Sequence, residues 1–155
     1  MKKLLTEKEI ALINDLGKEE LTASHVYTHL CNSMKTIGFF GAEKFFLAES
    51  LSEKEHYNKL EAFMNDMNEQ IDVPALDAVD VDISDLMDAF EYAFDMESGL
   101  LAKYEDAWEK GSPKMKALIN EFINIQVAAV GEYGDLIARL SRTSEPIFID
   151  QELAK

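Results

Sequence analysis

The stretch of this chain with the most chemical content is Glu53-Lys54-Glu55-His56. Glu-x-x-His sets a carboxylate and an imidazole one helical turn apart on one face, the spacing by which helix bundles hold carboxylate-bridged pairs of metal ions. Alone, the pattern is weak, because solvated helix faces produce it often by chance. Its position gives it weight. It lies in a helical run from Gly41 to Met67 that no proline or internal glycine interrupts. The three-four spacing of that run reads Ala42, Phe46, Glu49, Glu53, His56, Leu60, Phe63 and Met67. Such a stripe faces a bundle core, yet its centre is Glu, Glu, His. A buried carboxylate without a partner costs several kcal/mol, so it is neutralised, paired or bound to a metal.

Three further helices are needed to build a core around that centre, and the sequence supplies them. Thr6 with Glu9 is a capping box that opens a first helix. Its stripe is Ile13, Leu16, Glu20, Ala23, Tyr27, Leu30 and Met34, and Gly38 ends it. Residues 69–83 read as an extended connection, because Pro74 and the β-branched residues oppose helix. Extended, that segment spans up to roughly 50 Å, more than the roughly 40 Å of the second helix. It therefore predicts a crossover along the bundle. Ser84 is the expected N-cap of a third helix with the stripe Leu86, Phe90, Ala93, Glu97, Leu100, Tyr104 and Ala107. Gly111-Ser112-Pro113 gives a stop, a cap and a first-turn proline. A fourth stripe follows: Ile119, Phe122, Gln126, Ala129, Tyr133, Leu136 and Leu140. The tail from Thr143 has room for one or two helical turns.

Each stripe carries one polar interruption near its middle. Glu20 and Glu53 stand almost equally far from the Gly38 turn, and Glu97 and Gln126 almost equally far from the Gly111-Ser112 turn. In two antiparallel pairs these residues meet at one level. Three carboxylates, an imidazole and an amide then form an oxygen-rich set suited to Fe, Mn or, less selectively, Zn. The whole chain, 1–155, is expected to be one all-α domain. Thirty acidic residues against 15 basic ones give a formal charge of -15, which argues against nucleic acid and anionic membrane surfaces as partners. Cys31 is the only cysteine, so no intrachain disulfide forms. With no signal-peptide core or long apolar run, a soluble, cytoplasmic protein is expected.

With those residues in place, the chain resembles the non-haem ferritins of the bacterial type over roughly residues 10–142. Glu20-Leu21-Thr22-Ala23-Ser24-His25-Val26-Tyr27 matches the family's first-helix segment. Gly41-Ala42-Glu43-Lys44-Phe45-Phe46, followed by Glu53-Lys54-Glu55-His56, matches its second-helix motif, and Asn124-Ile125-Gln126-Val127 with Gly134-Asp135 its fourth helix. The resemblance implies an up-down-down-up four-helix bundle with a long crossover between helices two and three. A short fifth helix would begin near Phe148-Ile149-Asp150. It also implies a di-iron ferroxidase centre that oxidises Fe(II) with O2 or H2O2, and a homo-oligomeric cage of 24 subunits that stores the ferric product. Glu20 and His56 would hold one iron, Glu53 would bridge, Glu97 would hold the second, and Gln126 would lie beside it. Tyr27 is either an electron donor or a core tyrosine with a satisfied hydroxyl.

The chain also departs from the family. The fourth helix lacks a second Glu-x-x-His, which separates it from bacterioferritins and rubrerythrins. Ser52, Ile125, Ala128 and Ala129 occupy the positions of the third iron site of many bacterial ferritins, and none can serve there. Glu55 keeps one mineral-nucleating position, while Ser52 and Asn58 do not. Lys116 and Ile119 fall near the usual acidic lining of the three-fold pores. Glu49 is an extra carboxylate that relays or holds iron, pairs with a lysine, or reaches solvent. His25 and His29 are either a chelating pair or an exposed or interface pair without function. Two rival functions are carried alongside storage with oxidation: a ferritin-like di-iron oxidase or peroxidase that stores nothing, and a purely structural or storage subunit with no oxidation site.

Overall fold

A computed structural model describes residues 2–155. Four long helices, α1 (Glu7–Ile37), α2 (Phe40–Asp66), α3 (Leu86–Lys110) and α4 (Pro113–Leu140), are followed by the short α5 (Pro146–Leu153). The bundle runs up-down-down-up, and the described residues contain no strand. Helix α1 starts at the expected capping box, with Thr6 Oγ1 accepting from Glu9 N and Glu9 reaching back to Thr6 N. It stops at Gly38, whose φ of 102° lies in the left-handed region that glycine enters without a Cβ penalty. Its first and last turns also suit the helix dipole, with Glu7 and Glu9 at the start and Lys35 at the end. The cap of α3 differs from expectation. Asp85, not Ser84, is the N-cap, its carboxylate accepting from Asp88 N. Ser84 instead donates its N–H and hydroxyl to the Asp88 carboxylate, because it stands one residue too early to reach the first-turn amides.

The expected buried stripes of α1 and α3 are buried throughout, and that of α4 is buried except at half-exposed Ala129. Helix α2 is rotated slightly from its expected setting. Its buried line is Ala42, Phe46, Ser50, Glu53, Tyr57, Leu60 and Met64, while Glu49, His56, Phe63 and Met67 lie at the margin. Two contacts fix that rotation. Ser50 sits against α1, its hydroxyl donating to Ser24 O at 2.9 Å and paired with Thr28 Oγ1 at 2.9 Å. Tyr57 donates to Asp72 O at 2.7 Å.

Asp72 opens the crossover, an extended strap without regular structure that returns the chain alongside α1. Asp72 N donates to Asn14 Oδ1 at one end, and His29 Nε2 donates to Val81 O at the other, 2.7 Å away. Ile71 buries its side chain over Gly17, where an added Cβ would meet Ile71 Cδ1 at 3.1 Å. The tail forms α5 and docks on the start of α2, whose own N-cap, Phe39, supplies no side-chain acceptor. Buried Asp150 takes that role from the far end of the chain, accepting from Ala42 N at 2.7 Å.

The apolar interior is divided in two. One cluster holds Tyr27, Leu30, Met34, Phe46, Phe90, Tyr133 and their neighbours. The other holds Ile13, Leu16, Leu60, Tyr104, Ile119, Phe122 and theirs. Along every long helix the change from one cluster to the other falls at the polar interruption: Glu20, Glu53, Glu97 and Gln126. Convergence at one level was predicted from distances to the turns, and this is the level.

Candidate metal centre

Glu20 and Glu97 have no exposed surface, Gln126 has none, and Glu53 retains 3%. Four stiff helices therefore fix three carboxylates and an amide at mid-bundle. His56 follows Glu53 by three residues and is half-buried, its Nδ1 3.1 Å from Glu53 Oε2 and 3.4 Å from Glu20 Oε2. One ligand atom from each of Glu20, Glu53 and His56 lies within 4.8 Å of the others, and the same holds for Glu49, Glu53 and Glu97. Glu53 belongs to both groups. Glu49 is the member that the sequence left unassigned. No ion pair among the described residues ties it to a lysine, and one of its oxygens lies within reach of Glu53 and Glu97.

Tyrosines orient the carboxylates. Tyr104 donates to Glu20 Oε1 at 2.5 Å, and Tyr27 donates to Glu97 Oε1 at 2.5 Å. Gln126 Nε2 donates to Glu97 Oε2 at 2.6 Å, and Tyr133 donates to Glu49 Oε2 at 3.3 Å. Tyr27 and Tyr133 also stack, ring centres 6.3 Å apart. Sequence reasoning singled out Tyr27 but read Tyr104 and Tyr133 only as core residues. The signal available was that a buried tyrosine hydroxyl needs a partner, and at this height the partners are the carboxylates.

The electrostatics are those of a site short of positive charge. Burial, and then Glu20 beside it, push the Glu53 carboxyl up to about 8. Burial and the charge of Glu53 raise Glu97 to about 7. Burial, Glu132 and Glu53 raise Glu49 to about 7. His56 is opposed by burial but raised by Glu20 and Glu53 to about 10, which favours its charged form beside the carboxylates. Gln126 Oε1 is buried without any hydrogen-bond partner, and Glu20 Oε2 has only the His56 ring nitrogen, 3.4 Å away. A buried unpaired carbonyl oxygen and carboxylates held above their ordinary range favour any cation that enters among them. The donor set fits hard metal ions.

A pocket of about 260 Å³ reaches the cluster between α2 and α4, lined among others by Ser52, His56, Gln126, Ala128 and Ala129. A wider groove of about 700 Å³ runs between α1 and α3, but its charged side chains include the Lys103–Glu19 pair and none of the clustered ligands.

A ferritin-like domain model matches residues 10–143, which include every residue of the cluster. The chain belongs to the ferritin family. It is 31% identical over 138 residues to a ferritin of Pacifastacus leniusculus, covering 84% of this chain and 76% of that one. Among solved structures, an open pore ferritin from the hyperthermophilic archaeon Archaeoglobus fulgidus superposes with a TM-score of 0.92 at 17% identity, covering 97% of this chain and 98% of the other. A humanized archaeal ferritin gives 0.91 at 18% identity over 97% of this chain and 96% of its own. Those two likenesses speak for the fold.

The remaining sequence candidates fall outside the cluster. His25 is exposed, and His29 donates from Nε2 to the crossover carbonyl of Val81. Ile119 has no exposed surface and belongs to the core, while Lys116 lies over the Trp108 ring at 4.4 Å. No helix among the described residues is long and apolar enough to cross a membrane.

Proposed function

We propose that this ferritin binds two Fe(II) ions side by side at mid-bundle, oxidises them with O2 or H2O2, and stores the ferric product in a homo-oligomeric cage of 24 subunits. The observation that carries the reading is that Glu53 belongs to both groups of converging ligand atoms. A carboxylate has two oxygens, and a shared one holds two ions close enough to deliver electrons to one oxidant molecule. Glu20 and His56 complete one position. Glu97 and Glu49 complete the other, with the Gln126 amide beside it. Two Fe(II) supply two electrons, which with two protons reduce O2 to H2O2, or H2O2 to two waters. The carboxylates and His56 give up their protons to solvent as they take the metal, so the two protons of the reduction are drawn from water. Tyr104, Tyr27 and Gln126 hold Glu20 and Glu97 in place, so the geometry is set before iron arrives.

The cage part rests on family membership and on apolar side chains left exposed along α2 and α5. Leu47, Leu51, Phe40 and Phe148 are each more than half exposed, as expected of surfaces that another copy covers. The bacterial-type assignment, the single-domain reading of 1–155 and a cytoplasmic location belong to the same proposal. A di-iron oxidase or peroxidase without storage shares this centre and differs only in assembly.

The test is aerobic addition of Fe(II) to metal-free protein, following ferric absorbance. A fast phase ending near two irons per subunit, followed by continued loading, supports centre and cage together. A fast phase with no further soluble iron keeps the centre and selects the non-storing oxidase. Glu53→Ala should abolish the fast phase while circular dichroism stays helical; if fast oxidation survives that substitution, the site assignment is wrong.

A further inference from the structure

Each of the two metal positions has aromatic rings at its back, and they come from different halves of the core. Tyr27, which holds Glu97, stacks on Tyr133 and on Phe46, with ring centres 6.3 and 5.9 Å apart. On the side of Glu20 and His56 the backing ring is Phe122, one turn before Gln126 on α4 and without exposed surface. Helix α4 sends no ligand to that first position, whose ligands come from α1 and α2. Phe122 lies face to face with Tyr104, ring centres 4.9 Å apart and planes 8° from parallel. Tyr104 in turn donates to Glu20 Oε1. The same Phe122 ring stands nearly perpendicular to His56, 6.1 Å from centre to centre with 82° between the planes. Both are arrangements in which aromatic rings attract one another. Lys59, paired with Glu121 at 3.5 Å, stands 5.8 Å from the Phe122 ring centre, within cation–π reach. His56 also lines the pocket of about 260 Å³, whose empty space gives an imidazole room to swing away from the carboxylates.

We propose that Phe122 is a positioning residue for the first metal position, setting the His56 ring directly and the Glu20 carboxylate through the Tyr104 hydroxyl. The inference rests on the two-metal reading above. Ligands bind a metal well only when the groups behind them hold their direction. With the ring gone, Tyr104 loses the face it lies on and His56 loses its perpendicular neighbour. Both ligands then gain freedom that binding must remove again. Glu97 and Glu49 keep Tyr27, Gln126 and Tyr133, none of which depends on Phe122 for its hydrogen bond. Loss of Phe122 therefore weakens one ion of the pair and spares the other.

The experiment is an anaerobic Co(II) titration of the full, metal-free protein, with excess Mg(II) to occupy weak surface carboxylates. Calorimetry counts the ions, and the hyperfine-shifted proton signals of a cobalt-bound imidazole report the first position, because His56 is its nitrogen ligand. Phe122→Leu removes the ring. Phe122→Met, which refills the space with a flexible side chain, removes it as well should the leucine variant fail to fold. Phe90→Leu is the control for lost packing, since Phe90 is equally buried but lies in the other half of the core beside Phe46. The expected result is two ions per subunit throughout, one of them held at least about tenfold more weakly in the Phe122 variants alone. In those variants the imidazole signals should appear only at the higher cobalt level. Parent affinities in the Phe122 variants would overturn the proposal, as would weakening confined to the ion that gives no imidazole signal. Equal weakening of both ions, the same loss in Phe90→Leu, or failure of both Phe122 variants to fold would make Phe122 a packing residue and overturn it too. A parent count below two would overturn the two-metal reading itself, and the positioning role with it.

Discussion

Replacing Gly41 by alanine tests the placement of α5 most directly. A Cβ built on Gly41 would sit 1.9 Å from Asp150 O and 2.8 Å from Asp150 C, and both are backbone atoms of α5. No rotamer change relieves such a contact, so either α5 leaves or the start of α2 moves. If α5 leaves, the Asp150 hydrogen bond to Ala42 N goes with it, about 1.5–3 kcal/mol for a charged acceptor. Exposure of Ile149, now 5% exposed, adds about 1.5–3 kcal/mol. The conformational freedom regained by α5 offsets much of that sum, and alanine's better helix propensity returns up to about 1 kcal/mol. A net loss of about 2 kcal/mol, the usual range for overpacking, corresponds to roughly 6 °C in Tm for a domain of this size. The assay is thermal unfolding at fixed protein concentration, with limited thermolysin digestion at Ile149. Gly41→Ala should melt lower and lose its C-terminal segment faster. Asp150→Ala, which removes the cap without the clash, should show a smaller Tm change. A Gly41→Ala protein with the parent's Tm and the parent's digestion rate would refute the close approach.

Other consequences are open to simpler measurements. The raised carboxyls of Glu49, Glu53 and Glu97 bind protons more tightly folded than unfolded, and so does His56. The stability they add to the metal-free protein is present below about pH 4.5 for the carboxyls and about pH 6.5 for His56. It is lost as pH rises through about 7 to 8 for the carboxyls and about 10 for His56. Metal-free Tm should thus fall between pH 5.5 and 8.5, and a Tm that rises over that interval would contradict the electrostatics of the centre. Adding Zn(II) at about a hundred times its Kd should add about 2.7 kcal/mol to stability, since it binds only the folded site, and Glu53→Ala should lose most of that gain. Tyr104→Phe leaves Glu20 Oε1 without its donor. It should slow iron oxidation and weaken metal binding by about 10–100-fold with the helical spectrum unchanged; undiminished metal affinity would remove Tyr104 from the positioning role. His29→Ala frees Val81 O and should make the crossover the first site of proteolysis, with iron oxidation at the parent rate.

Most of the bundle was legible because its signals are periodic. The stripes of α1 and α3 were read residue for residue, and the agreement in height of Glu20, Glu53, Glu97 and Gln126 required only that the helices pair antiparallel across short turns. Helix α2 was read with a small rotational error. Its rotation is set by Ser50 against Ser24 and Thr28 and by Tyr57 reaching Asp72, contacts between residues far apart in sequence that no local pattern encodes. The same blindness hid the role of Asp150, a cap delivered from the other end of the chain. Asp85 was passed over for Ser84 because both residue types cap equally well and only the backbone decides. Within the centre, residue types and spacing were enough to expect Glu20, Glu53, His56, Glu97 and Gln126 at one level. Glu49 stayed unresolved, because its place in the cluster depends on the rotation of α2.

The division of the interior into two apolar halves makes the middle of the bundle a seam. Metal-free, it is held by four hydrogen bonds from three tyrosines and a glutamine and by one charged imidazole. Occupied, two cations would rivet all four helices at the same height. Opening of the molecule should then start at the seam when metal is absent and at the chain ends when it is present. Amide exchange around Ala23, Glu53, Leu100 and Gln126 would thereby report occupancy of the centre, and a redox-silent ion would serve as well as iron.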